Sequence, residues 1–182
     1  HAAGCTHRGN GLAGADAHCQ KLAAASGVAG AGAKTWRAYL SVAPTFATQT
    51  APAVPSVNAR DRVGNGPWFN AKGQMIARDL AHLHNGNNLS KDTALDEKGN
   101  VIKGRGDTPN EHDILTGSRA DGTAFAPQQD TTCGAWTKSG DGSAVRCARK
   151  RWTAGMPDRV PVSRSSVWAS SRLRALVSPW AD

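Results

Sequence analysis

The sequence predicts an α+β chain built from short elements and long loops, and three observations carry that expectation. The stretch Gly11–Leu40 passes from a helical period directly into a strand period. Beyond residue 57 the apolar pieces are short and are separated by Gly, Pro, Asn and Asp. Glycine numbers 20 and hydrophobic residues make up 39% of 182, which suits a loop-rich domain better than a helical bundle. At this length one domain with its own core is expected, and no internal repeat is evident.

In chain order, residues 1–10 (HAAGCTHRGN) show no period and read as an irregular arm. Ala15, Cys19, Leu22 and Ala23 share one helical face, with Asp16 placed where a carboxylate favours a helix start. Gly27 and Gly30 are natural stops. Next, Trp36, Ala38 and Leu40 alternate with Arg37 and Tyr39, the pattern of a half-buried strand. Pro44, Pro52 and Pro55 make 43–57 a loop. Val57–Val63 reads as a short strand or turn, and Gly64–Pro67 as a turn before Trp68 and Phe69, which are expected inside. Met75, Ile76, Leu80 and Leu83 are further core candidates, and 84–90 reads as polar loop. Asp96–Gly99 followed by Asn100–Ile102 suggests a hairpin-like unit. Residues 103–113 form a polar loop, Gly117–Gly122 a turn, and Thr131–Thr137 a strand-like piece containing Cys133 and Trp136.

The net charge is +8, from 22 Lys+Arg against 14 Asp+Glu. Such an excess favours acidic partners: nucleic acid, anionic glycans or a membrane surface. The charge is uneven. Residues 146–182 hold Arg146, Arg149, Lys150, Arg151, Arg159, Arg164, Arg172 and Arg174 against Asp158 and Asp182, net +6. No apolar run approaches the ~20 residues of a membrane span. The chain begins with His1 and has no apolar leader segment, so any signal peptide is expected to be already removed. None of Cys5, Cys19, Cys133 and Cys147 lies in CxxC spacing, which argues against zinc and thioredoxin-type sites. Four widely spaced cysteines suit disulfides in an oxidising compartment, with intracellular thiols as the alternative.

Seven words occur in a characteristic order: GADAHCQ (Gly14–Gln20), TWRAYLS (Thr35–Ser41), VNARD (Val57–Asp61), the Trp68 segment, DEKGNV (Asp96–Val101), GSRADGTAF (Gly117–Phe125) and TTCGAW (Thr131–Trp136). In that order they resemble the endostatin module of certain collagens. They are more similar still to bacterial secreted proteins labelled lectins, which share the GLAGADAHCQ, NARDR, GRGDTPN and HDILTG wording. The resemblance covers residues 11–145. It implies a single C-type-lectin-like domain, with short helices flanking a twisted, mostly antiparallel sheet and long loops. It further implies secretion, or a periplasmic location, and non-enzymatic binding.

The resemblance stops near Val145. The family continues with a strand carrying two more cysteines, which close nested disulfides to the positions matched by Cys19 and Cys133. Here the tail 146–182 is basic and rich in Arg, Ser and Trp, with a single cysteine, Cys147. The hypothesis is that a reading-frame change replaced the family ending, and possession of a two-cysteine ending by neither alternative frame of the gene would refute it. Each lost disulfide would cost ~2–5 kcal/mol. Cys19 would then lack its partner, and Cys133 with Cys147 is the remaining candidate pair.

The best candidate site is the oxygen-rich loop. Asp107, Asn110, Glu111 and Asp113 lie close together in sequence, with Asp121 nearby. Calcium takes ~6–8 oxygen ligands of these types, and in calcium-dependent C-type lectins the ion holds sugar hydroxyls. The spacing falls short of the ~12-residue EF-hand loop, and the calcium-lectin triplets Glu-Pro-Asn and Trp-Asn-Asp are missing, which favours a solvated polar loop. Arg105-Gly106-Asp107 spells the integrin-binding tripeptide, but Thr108-Pro109 after it favours a turn role. Trp136 is a candidate sugar-facing ring. Arg37, Arg60, Arg62, Lys72 and Arg78 are the candidate basic surface of the domain, the region from which heparin-type binding arises in the family. The basic, Trp-bearing tail is a second candidate for anionic groups. His82 and His84 could share a strand face, but two ligands do not make a structural zinc site. His1 and His7 sit in the arm. His112 beside Asp113 suggests a general base, yet neither HExxH nor GxSxG accompanies it.

The expectation is therefore a non-catalytic extracellular module recognising glycans or anionic polysaccharide, with no specific nucleic-acid partner. The alternative is a structural or adhesion module that meets other extracellular proteins through its loops.

Overall fold

A computed structural model describes residues 10–104, 106–109, 116–127 and 132–137. The architecture is loosely α+β: among the described residues there are three α-helical segments, two 3₁₀ turns and one two-stranded antiparallel sheet, linked by long loops. Helix α1 (Gly11–Ala24) buries Gly11, Ala15, Cys19 and Ala23, a stripe with a period of four. The expected face is therefore correct at Ala15, Cys19 and Ala23, while Leu22 packs at its edge. Asp16 lies within the helix body, away from its first turn, and its carboxylate is used elsewhere.

The segment 36–42 is the spine of the molecule. Its alternation is real, but both faces are covered. Ala38, Leu40 and Val42 pack with Ala15, Cys19 and Trp136, and Trp36 joins this cluster from its edge. Tyr39 points the other way, into a second cluster with Ala59, Val63, Trp68, Ala77 and Leu83. The expected half-buried strand is thus buried on two sides at Ala38–Leu40, with Arg37 reaching solvent. The reason is tertiary: α1 covers one side, and Ala59, Val63, Trp68, Ala77 and Leu83 cover the other.

Ser41, fully buried, stitches this spine to three loops. Its N–H donates to Thr116 O at 2.9 Å, and its carbonyl accepts from Trp136 Nε1 at 2.8 Å. Its hydroxyl accepts from Ala59 N–H and lies 2.8 Å from Ser118 Oγ. Every polar atom of this residue is thereby satisfied without a ladder strand beside it. The proline-bearing loop 43–57 folds back on itself through Val42–Val57 and Thr45–Val54 bridges.

Strands β1 (Trp68–Phe69) and β2 (Met75–Ala77) pair antiparallel around a turn held by Asn70, whose Oδ1 accepts from Lys72 N–H and Gln74 N–H. Trp68, Ile76 and Leu83 are buried as expected, whereas Met75 faces outward. Helix α2 (Leu80–His84) is capped by Asp79, which accepts from His82 N–H at 2.7 Å. The expected hairpin near Asp96 forms through a Leu95–Val101 bridge, and Asp96 accepts from the backbone of Lys98 and Asn100.

The strand expected at Thr131–Thr137 is instead a single turn, α3 (Cys133–Trp136), with φ positive at all four residues. Gly134 adopts this conformation readily; the other three are held there against a cost of about 1–2 kcal/mol each. Trp136 N–H bonds Thr132 O and its indole N–H bonds Ser41 O, and these contacts fix the turn. Among the described residues no helix is long and apolar enough to cross a membrane.

Candidate functional site

Of the oxygen-rich loop, Asp107 lies within the described residues; Arg105, Asn110, Glu111, His112 and Asp113 lie outside them. Asp107 Oδ1 accepts from Lys91 Nζ at 2.8 Å and Oδ2 from Gly104 N–H at 2.8 Å. The Lys91 contact, seconded by the Gly104 N–H, holds its carboxyl below the usual carboxylate range. Both oxygens thus serve the loop and an ion pair. A calcium ion on Oδ1 would have to compete with the Lys91 ammonium, and one on Oδ2 with the Gly104 N–H. Among the described residues no three His, Cys, Asp or Glu side chains gather as a metal site.

Asp121 lies at the tip of the 118–124 turn, which closes through a Ser118–Ala124 bridge. Its Oδ1 accepts from the Thr123 hydroxyl at 2.6 Å and from Thr123 N–H at 3.0 Å. These bonds, the hydroxyl first, depress its carboxyl pKa. Beneath the turn lies a buried pair. Tyr39 Oη is 2.7 Å from His84 Nε2, and His84 Nδ1 is 2.7 Å from Leu80 O. A carbonyl can only accept, so the hydrogen sits on Nδ1 and Nε2 accepts from the tyrosine hydroxyl. Burial is the first cause holding the His84 pKa below its ordinary value, and the Arg60 charge adds to it. Gly122 covers both rings at φ +80°. A Cβ there would collide with His84 Nε2, Tyr39 Oη and the Arg60 side chain.

The candidate basic residues divide into two kinds. Arg37, Lys72 and Arg78 are exposed, and Arg60 is half-exposed. Arg78 Nε pairs with the capping Asp79 at 3.1 Å in a solvent-facing contact. Arg62 departs from the expected surface role: its side chain is only 10% exposed, and it donates to Asp16, Ala38 O and Leu40 O. Trp136 departs likewise, because its ring lies in the core cluster against α1 and its N–H is engaged by Ser41.

The Tyr39–His84 contact is not among the expected features, since 84–90 reads as polar loop and His82 and His84 as residues that could share a strand face; both lie in α2 instead. The signal was present in Asp79-Leu80-Ala81-His82-Leu83: an acidic cap three residues before His82, with leucines spaced i, i+3. Arg119, whose guanidinium lies 5.9 Å from the Phe125 ring centre, was also missed, since nothing local pairs the two.

Cys19 is buried and is the free cysteine of the described residues. The expected Cys133–Cys147 pairing involves Cys147, which lies outside them, as do the tail 146–182, residues 1–9, His1 and His7. Comparison of the chain with protein-family models, with curated proteins and with solved structures finds no match.

Proposed function

We infer that this chain is a non-catalytic extracellular binding module of C-type-lectin-like, endostatin-like kind that takes anionic polysaccharide through basic side chains of its body. One observation supports the reading above the others. Arg37, Lys72 and Arg78 stand exposed on a chain of net charge +8, while Arg62, the arginine consumed by structure, is withdrawn from that surface. The ordered set of family words across 11–145 points the same way. A sulfated polysaccharide would meet these groups as phosphate chains meet basic proteins, by charge and with counterion release.

The test is titration of the full chain with heparin and with an uncharged glycan panel, each with calcium and with chelator. Saturable, salt-sensitive heparin binding that weakens in the Arg37→Glu/Lys72→Glu chain supports the reading. Unchanged binding in that variant, or none in the wild type, overturns it. A second reading, an adhesion module for other proteins, draws on Phe46, 76% exposed in the folded-back 43–57 loop. Blank glycan and heparin titrations, with protein capture abolished by Phe46→Ser, would favour that one.

A further inference from the structure

We propose that His84 is the bolt of an acid-operated latch that holds the 118–124 turn against helix α2. Four elements meet at this ring. The spine contributes Tyr39, whose hydroxyl donates to Nε2. Helix α2 contributes Leu80 O, which fixes the hydrogen on Nδ1, and carries His82 two residues before the bolt. The 3₁₀ turn Ala59–Asp61 contributes Arg60, and the 118–124 turn contributes Asp121 and the Gly122 backbone. Gly122 also accepts from Arg60 N–H at 3.2 Å, so the same residue touches the bolt and the neighbouring turn.

The closed arrangement needs a neutral ring. Neutral His84 offers one lone pair, at Nε2, and Tyr39 fills it. A proton at Nε2 would set an N–H against the tyrosine O–H. The hydroxyl would have to turn its hydrogen away, beneath a Gly122 so close that a Cβ there would collide with both groups. Burial works against the cation first and Arg60 adds like charge; the Leu80 carbonyl and the Asp121 carboxylate favour the cation without outweighing the burial, and Asp121 Oδ1 is already engaged by Thr123. The imidazolium is therefore better solvated when the turn lifts. Lifting the tip, residues 119–123, breaks the Arg60–Gly122 backbone contact and the packing over the two rings, while the ends of the turn stay tied by Ser118 Oγ to Ser41 Oγ and by Ala124 N–H to Asn58 Oδ1. The spine, by contrast, keeps its covers on both faces. Local opening of this kind draws on the low-stability end of a fold.

The experiment is hydrogen exchange with mass spectrometry on the full chain from pH 7.5 to 5, corrected for intrinsic exchange. Exchange at the Arg60 amide, whose acceptor is Gly122 O, should rise by up to about tenfold per pH unit below the ordinary histidine value of 6.5, while peptides of α1 stay protected. In His84→Gln, which cannot titrate, the rise should disappear even if basal opening is higher. Ring ¹⁵N spectra of the wild type provide a readout that does not depend on that variant folding. They should show the Nδ1–H tautomer at pH 7.5 and protonation in step with the opening. Unchanged Arg60 exchange from pH 7.5 to 5, an equal rise in His84→Gln, simultaneous loss across α1, or an Nε2–H tautomer would each overturn the latch.

Discussion

Arg62 grips Asp16 with one nitrogen, Nη2 lying 2.6 and 2.7 Å from the two carboxylate oxygens. Its other terminal nitrogen donates to Ala38 O at 2.7 Å and Leu40 O at 3.3 Å, and Asp16 Oδ1 accepts from Ala38 N–H at 2.8 Å. Two charges thereby tie α1, the spine and the 59–62 turn, and they satisfy backbone groups that have no ladder partner there.

Removing either charge should leave the other partly buried and unpaired. Arg62→Ala and Asp16→Ala are each expected to cost about 2–4 kcal/mol, somewhat below the fully buried limit because Asp16 keeps solvent contact. The double variant should cost well under the sum of the two. Denaturant midpoints at constant slope check this, and additive losses would mean the contact carries no coupling energy.

Gly27 and Gly122 have nearly the same φ, +79° and +80°, in different surroundings. Gly27→Ala meets open space and should cost only the backbone term, about 1–2 kcal/mol. Gly122→Ala adds collision with His84, Tyr39 and Arg60 and should cost several kcal/mol or prevent folding. Thermal melts of the pair separate strain from packing; equal losses would place the closure over Tyr39 and His84 in doubt.

The Cys19 thiol is pushed up from 9.0 to about 12, by burial first and by the Asp16 charge second, against a lowering by Arg62. The native chain should therefore resist alkylation at Cys19 near pH 8 and label only on unfolding. Linkage sets the sign: because the folded value is raised, the contribution to stability is intact below pH 9.0 and is lost as pH climbs from there toward 12. Mass spectrometry of iodoacetamide-treated protein and alkaline melts with a Cys19→Ala control test both parts. Rapid native labelling at Cys19 would contradict its burial.

Charge reversal should distinguish the surface arginines from the structural one. Arg37→Glu/Lys72→Glu is expected to leave the melting temperature within a few degrees and to weaken heparin binding, with a shallower dependence on salt. Arg62→Ala should lower the melting temperature. Binding measured at several salt concentrations, on variants shown to be folded, checks the division.

Much of the local structure was legible. Spacing located α1, the inward Trp68, Ile76 and Leu83, and the hairpin at Asp96, because those features depend on neighbours within a few residues. The candidate site was legible as residue types and less so as roles. Arg62, Trp136 and Asp107 looked like surface chemistry, and partners 46, 95 and 16 residues away drew them into structure.

Composition and period are properties of the chain alone, and they carry the loop-rich α+β class, the excess of positive charge, the helical face of α1 and the alternation of 36–42. It took the folded chain to cover both faces of that segment, to make Arg62 a strut and to bring Tyr39 to His84 under Gly122. Burial and pairing belong to contacts between distant segments, and no local pattern records which segment will arrive.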